Sequence, residues 1–342
     1  MTQKVCFTMS QSTENFLITG ALGCIGAWTV RNLLQDGVGV TVYDLATEPR
    51  RLQLVLTEEE IAKVNFVTGD ITDLDALGGA LDANDITHVI HLAGLQVPFC
   101  KADPALGARV NVVGTVNVFE AVKQRLDRIS RVTYASSIAV FGAPEDYEAG
   151  AALRDDDKLI PHTHYGVYKQ ANEGSAHVYW SDDKVPSIGL RPYVVYGVGR
   201  DQGVTSTPTT AMLAAAAGLP YHISYGGQTV FQYADDTARA FIQSARSDYQ
   251  GAAAHNLGGL MPHMRDVKAA IDAAAPEMAD KITFEDMQLP FPSEVDGSGL
   301  ESAIGTVSHK PLAEGVSETI ELFRTLIVEG KIDAASYVKE RS

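Results

Sequence analysis

Phe16-Leu17-Ile18-Thr19-Gly20-Ala21-Leu22-Gly23-Cys24-Ile25-Gly26 is the stretch whose reading decides the fold. Its apolar start is too short and too β-branched for a helix, and glycines follow at a spacing of three. Ile25, Trp28, Thr29, Leu33 and Leu34 then recur on one helical face. Strand, glycine turn and helix is the layout that receives a nucleotide pyrophosphate. Glycines let the backbone turn tightly and approach the phosphates, and the free N–H groups at the helix start carry partial positive charge. The spacing is G-x-x-G-x-x-G rather than G-x-G-x-x-G, so the turn needs support from elsewhere in the chain. Val38-Gly39-Val40-Thr41-Val42-Tyr43-Asp44 supplies it, a second strand ending in an acid 18 residues past Gly26. A carboxylate at that place holds the two ribose hydroxyls of NAD.

The chain of 342 residues is 45% apolar, enough for one large or two intimately packed domains. A formal charge of −16 argues against nucleic acid as a partner, because a phosphate backbone needs a basic face. Cys6, Cys24 and Cys100 have no metal-ligand spacing and suggest no disulfide framework. No run approaches the ~18 apolar residues of a membrane span. The first 14 residues lack the apolar core of a secretory signal. The expectation is a cytoplasmic protein with a frayed N-terminal extension over 1–14, in which Met9 is a second candidate start.

Strands are expected over 64–67, 88–94, 131–137 and 187–191, alternating with helices over 73–82 (Asp73 as N-cap), 105–125 and 165–181. Val110, Val113, Val116, Val118 and Phe119 form the apolar side expected for the helix over 105–125. Such alternation predicts an α/β fold, a Rossmann-type doubly wound parallel sheet with ligands at the carboxyl ends of its strands. Gly20, Asp44, Asp70, Ala93-Gly94 and Ser136-Ser137 all fall at such ends. Residues 15–192 read as the dinucleotide-binding domain, with elements near 229–258 returning to it. Residues 193–228 and 259–342 read as a smaller substrate-binding region, punctuated by prolines, with helical pieces near 207–218, 235–247, 263–274 and 314–329. Asp155-Asp156-Asp157 reads as a solvated loop.

Tyr165-Gly166-Val167-Tyr168-Lys169 puts a phenol and an amine four apart at a helix start, hence on one face. A tyrosine is a poor base at neutrality, but a nearby ammonium and an oxidised nicotinamide favour its phenolate. The pair can then take a proton from an alcohol whose carbon loses hydride, and Ser137, rather than Ser136, is the expected donor to the reacting oxygen. Cys100 has no histidine partner and reads as a buried hydrophobe. His162 and His164 have no third ligand, so no metal is expected.

These pieces together resemble the extended branch of the short-chain dehydrogenase/reductase superfamily, the NAD-dependent epimerase/dehydratase group. The matching residues are Thr19-Gly20-x-x-Gly23-x-x-Gly26, Asp44, Gly69-Asp70-Ile71, His91-Leu92-Ala93-Gly94, Asn111-x-x-Gly114-Thr115, Ser136-Ser137 with Val140-Phe141-Gly142, Tyr165-x-x-x-Lys169, and Arg191-Pro192 with Val195-Tyr196-Gly197. The resemblance implies Ser137, Tyr165 and Lys169 as catalytic residues. It implies an NAD site of Gly20, Gly23, Cys24, Ile25, Gly26, Asp44, Asp70, Ile71, Leu92, Ala93, Gly94, Asn111, Tyr165, Lys169, Pro192 and Val195. Asp44 favours NAD over NADP; Arg50 and Arg51 read as surface residues. A homodimer through the two long helices is also implied.

Departures from the group narrow the reaction. Ile138 and Ala139 stand where dehydratases carry acids, and Val194 replaces a diphosphate-binding asparagine. Thr229-Val230 precede Phe231 where nucleotide-sugar enzymes carry an Arg-Asp pair. Losing both should cost a doubly charged substrate several kcal/mol. The expected substrate is therefore a small hydroxy compound, a free sugar, sugar acid or polyol. Its contacts are expected from Gln96, Ser136, Ser137, Tyr193, Arg200, Gln202 and Thr205, and from the stretch Tyr225 to Gln232. An oxidoreductase is the leading reading. An epimerase that retains NAD uses the same residues, and a non-catalytic dinucleotide sensor ranks last because the Tyr/Lys pair is complete.

Overall fold

The computed structural model describes residues 14–340; the expected N-terminal extension, with Met9, lies outside them except for Glu14. Its strands are β1 (Asn15–Thr19), β2 (Gly39–Asp44), β3 (Asn65–Thr68), β4 (His88–His91), β5 (Val132–Ala135), β6 (Ser187–Arg191), β7 (Val194–Tyr196), β8 (Tyr221–Ile223), β9 (Phe231–Tyr233), β10 (Ala252–Asn256) and β11 (Ile282–Phe284). Seven of them form one parallel sheet in the order β10-β6-β5-β4-β1-β2-β3. The order reverses between β1 and β4, where Thr19 stands beside His91. That reversal opens a crevice at the carboxyl ends of the strands.

Helices cover both faces, which is why these strands read as unbroken apolar runs. Phe16 and Ile18 pack on one face with Val30, Leu33 and Phe241. Leu17 packs on the other with Tyr43, Phe119 and Tyr134, as the two-residue period of a strand requires. A third core, with Val194, Tyr196, Met212, Phe231 and Ile320, fills the region beyond β6. Trp28 joins that core, and its indole N–H donates to Val198 O at 2.9 Å. The pairs β7–β9 and β8–β11 are three residues a strand, too short to show as periodicity.

Two expectations need correction. The helix over 105–125 is Pro104–Ala108, a π turn at Arg109–Val113 and an α-helix at Gly114–Lys123. The wider turn rotates the register. Val113 is left exposed, while Asn111, Thr115 and Asn117 turn inward beside Val118 and Phe119. The second concerns Asp155, which is no solvated residue. Its carboxylate accepts from Asn256 N at 2.6 Å and pairs with His255 Nδ1 at 2.6 Å, tying the 155–157 loop to β10.

Candidate active site

The glycine turn is built by close approach. Gly20 has φ +67°, and a Cβ there would lie 2.5 Å from Ala93 N. A Cβ on Gly26 would lie 2.6 Å from Ala21 Cα, so the helix start presses on the turn. Gly23 opens the helix Cys24–Gln35 without any side-chain cap, leaving its leading N–H groups to an outside acceptor. Asp44 is held at the lip of this turn, accepting from Leu22 N at 3.1 Å and from Ala46 N at 3.0 Å. A cradle that a Cβ would fill, uncapped N–H groups and an adjacent carboxylate fit the pyrophosphate and ribose of NAD. Burial pushes the Cys24 thiol up to about 12, so it stays protonated beside the turn. Asp70 is fixed by its own loop, its Oδ1 accepting from Thr72 N at 2.8 Å, while Ile71 is buried against Gly114.

Thr163 caps the helix His164–Asp183, accepting from Gly166 N at 3.0 Å, and this places Tyr165 in the first turn with Lys169 one turn on. A side chain at Gly166 would run into the Ala139 carbonyl; glycine there lets the helix press on the Ile138–Val140 turn that carries Ser137 at its head. Lys169 is buried, donates to Ala135 O at 2.6 Å and lies 5.7 Å over the Tyr165 ring. Burial lowers Lys169 to about 8, opposed by the Cys100 thiol and the Glu173 carboxylate. Burial also raises the Tyr165 phenol, opposed by Ser137 and by the charge of Arg200. Arg200 is thus a second cation that favours the phenolate, besides the Lys169 ammonium over the ring.

Behind them, Asn111 donates to Leu95 O at 3.2 Å, Gly107 O at 3.0 Å and Cys100 Sγ at 3.3 Å, and its Oδ1 stays unpaired beside Gly94. Cys100 is buried as expected, and its thiol also donates to Leu95 O at 3.2 Å and accepts from Asn111 at 3.3 Å. His91 bridges Thr19 at 2.6 Å and Thr115 at 3.0 Å; burial, with Lys169 nearby, holds it down at about 3, so it is neutral. Leu92 N and Ala93 N bond Thr19, which fixes the wall facing Gly20.

On the other side lies a cleft of about 480 Å³ lined by Gln96, Phe99, Asp201, Gln202, Gly203 and Ser206. Of the expected substrate contacts, Gln96 and Gln202 line it. Thr205 instead accepts Arg200 Nη2 at 2.8 Å and so orients that guanidinium. Ser136 is corrected: just past the end of β5 it is buried and its hydroxyl donates to Glu173 at 2.5 Å, while Ser137 heads the turn that follows. Tyr193 is also buried, its hydroxyl donating to Pro292 O at 2.9 Å, so it packs in the core of the region beyond β6. Pro192 is half-buried and Val195 buried, at either end of the link into β7.

Three arrangements were not foreseen. Glu173, four residues past Lys169, makes a buried two-pronged pair with Arg191 at 2.8 Å; its spacing from Lys169 was the available signal. Asp155 and His255 are a hundred residues apart and had none. Arg51 is not a bare surface residue: it grips Asp201 at 2.7 Å and donates to Leu22 O at 3.0 Å, clasping the glycine turn to the loop that carries Arg200.

Residues 16–258 match the NAD dependent epimerase/dehydratase family. The chain belongs to that family. It is an NAD-dependent enzyme of the extended short-chain dehydrogenase type. It is 32% identical to a UDP-glucose 4-epimerase of Mycolicibacterium smegmatis over 90% of this chain and 98% of that one. It is 33% identical to a D-erythronate dehydrogenase of Cupriavidus necator over 52% of this chain and 56% of that one. The structure of a Thermus thermophilus UDP-glucose 4-epimerase in complex with NAD superposes with a TM-score of 0.75 at 25% identity, covering 91% and 99% of the two chains.

Proposed function

We propose that this member of the family oxidises a CH–OH group of a small sugar, sugar acid or polyol. The observation that carries the reading is the meeting of the Tyr165 phenol with the Ser137 hydroxyl and with the Lys169 ammonium 5.7 Å over its ring, just past the carboxyl end of β5. NAD, when bound, supplies the hydride acceptor. Tyr165 takes the hydroxyl proton at its phenol oxygen, and Ser137 donates to the reacting oxygen as it becomes a carbonyl. Lys169 binds the nicotinamide ribose and Asn111 supports the site from behind. Gly20, Gly23, Cys24, Ile25 and Gly26 hold the pyrophosphate and Asp44 the adenine-side ribose. Asp70 and Ile71 flank the adenine, while Leu92, Ala93, Gly94, Pro192 and Val195 line the nicotinamide half. Residues 15–192 with 229–258 serve the cofactor, and 193–228 with 259–342 serve the substrate.

The positions that bind a diphosphate in nucleotide-sugar enzymes support a small substrate. Val194, Thr229 and Val230 are fully buried, so nothing charged faces the cleft from them. Incubation with NAD and a panel of aldoses, aldonates, uronates and polyols should yield NADH. Tyr165→Phe should cut that rate by about 10²–10⁴-fold while NAD binding persists; an unchanged rate overturns the mechanism. The second reading, an epimerase that retains NAD, is favoured by the Mycolicibacterium smegmatis relative, similar over nearly its whole length. Protein that carries NAD through purification and interconverts sugars without net NADH would establish it.

We also propose a homodimer. Leu106, Val113, Val167 and Val178 stand exposed on the two long helices, and light scattering that finds a monomer at micromolar concentration overturns it. A cytoplasmic setting without nucleic acid is supported by the unpaired thiols of Cys24 and Cys100, the acidic charge and the lack of any helix, among the described residues, able to cross a membrane.

A further inference from the structure

Next to the cleft, the loop after β7 and the turn after β8 carry two polar groups that the protein leaves unanswered. Arg200 stands on the loop after β7, and its Nη2 donates to Thr205. Its Nε is buried and has no partner, and among the described residues no carboxylate pairs with its guanidinium. The neighbouring acid, Asp201, is gripped by Arg51. Tyr225 is only 1% exposed, and its hydroxyl is also buried without a partner. Ser224, next to Tyr225, bonds Thr207 at 3.3 Å, two residues from the Thr205 that Arg200 grips, and the charge of Arg200 bears on both Tyr225 and Tyr165. Gln96 Oε1 and Arg200 Nη2 both face Gly203, which puts this cation at the wall of the cleft.

Both unanswered groups are donors. A guanidinium N–H can only donate, and a phenol O–H beside a cation donates best to an anion. Leaving a charged donor buried and unsatisfied costs at least ~1–3 kcal/mol, and here a second donor stands beside it. A group that only accepts, and carries negative charge, satisfies both at once. A neutral hydroxyl could accept from both but would leave the charge uncompensated. The planar oxygens of a carboxylate match the guanidinium fork.

We propose that the substrate is a hydroxy acid whose carboxylate is held by Arg200 and Tyr225. This rests on the reading of Tyr165 as the base for a small hydroxy compound, and it narrows that class from sugars and polyols to sugar acids. The carboxylate end lies on the side of Arg200, and the oxidised carbon lies between it and Ser137. Thr205 positions the guanidinium. The other source of an anionic oxygen is a phosphate of the dinucleotide, since Arg200 also bears on Cys24 at the glycine turn. Tyr225 favours the substrate, because it packs in the core of the region beyond residue 192.

Equilibrium binding tests this without relying on turnover. The NAD-loaded protein is titrated calorimetrically with D-galacturonate and D-gluconate, and with the uncharged D-galactose and D-glucitol. At least one acid should bind about tenfold or more tighter than its neutral counterpart. Arg200→Gln should remove about 10–100-fold of that acid affinity and leave the neutral probes and NAD affinity unchanged. Tyr225→Phe should remove a few-fold, and melting curves report whether either variant is folded. Equal binding of acids and neutral probes by the wild type, binding of none of them, or a loss confined to NAD in Arg200→Gln each overturns the proposal. NADH from a neutral polyol alone would keep the oxidoreductase and remove the carboxylate site. Arg200-dependent acid binding without any NADH would keep the carboxylate site and remove the oxidoreductase.

Discussion

The glycine turn and the cleft across from it solve the problem of holding a ligand by opposite means. At the turn the work is done by backbone: Gly20 takes a left-handed conformation, Gly26 lets a helix lie on Ala21, and the helix offers its leading N–H groups. Side chains there, such as Asp44 and Thr19, mainly lock the backbone in place. In the cleft the polar groups are side chains on loops: Gln96, Asp201 and Gln202 line it, with Arg200 beside them. The first arrangement suits a ligand that does not vary, because backbone donors survive most substitutions. The second suits a ligand that distinguishes one family member from another.

If that contrast holds, the largest damage follows from adding a single methyl group to the turn. Gly20→Ala forces an alanine to φ +67° and drives its Cβ to 2.5 Å from Ala93 N. Left-handed strain and overpacking together should cost about 2–4 kcal/mol. Denaturant melts should show that loss, and NAD affinity should fall with it. By contrast, Thr205→Val in the cleft should leave the melt within about 0.5 kcal/mol of wild type and weaken substrate alone. Equal effects at the two positions would erase the distinction.

The same contrast explains what could be read from the sequence. Backbone devices leave a local signature: the glycine spacing, the acid ending β2, and Asp73 capping the helix Leu74–Ala83 by accepting from Ala76 N at 2.9 Å. Tyr165 and Lys169 were legible because a helix puts residues four apart on one face. Ser136 was misassigned because its partner, Glu173, lies 37 residues on and only the fold brings the two together. The valine stripe of 105–125 failed at Val113, while Val118 and Phe119 are buried as expected, because a π turn leaves no mark in composition. Asp155 with His255, and Arg51 with Asp201, join residues a hundred or more apart. Only the closed fold brings such pairs together.

Lys169 lies on the seam between the two regions, and its titration tests how dry that seam is. Its folded value, about 8, lies below the ordinary lysine value of 10.5. The unfolded chain therefore binds more protons between these values, and stability should rise with pH across that window. Below about pH 8 both states are protonated and the cost of burying the charge is constant. Lys169→Met lacks the titration, so its stability relative to wild type should be greatest near neutrality and shrink as pH rises. On the order of 1–2 kcal/mol of that difference should vanish between pH 7.5 and 9.5 in paired denaturant melts. A pH-independent difference would mean that water reaches the ammonium.

The smallest effect is expected where the regions touch. Arg51 bonds the Leu22 carbonyl on the glycine turn and the Asp201 carboxylate beside Arg200, so one side chain spans the backbone site and the side-chain site. Both partners of that pair are about a quarter exposed, so its contribution to stability should be only about 0.5–1 kcal/mol. Its consequence should be kinetic. Opening the clasp separates the loop from the turn without touching either ligand's donors, so Arg51→Ala should speed NAD release by a few-fold and leave the rate of the chemical step unaltered. Stopped-flow displacement of bound NADH measures the first, and single-turnover kinetics the second. Release unchanged by Arg51→Ala would mean that the two regions hold their ligands independently. Faster release together with a slower chemical step would place Arg51 in the reaction itself, and the separation between scaffold and specificity would end at that residue.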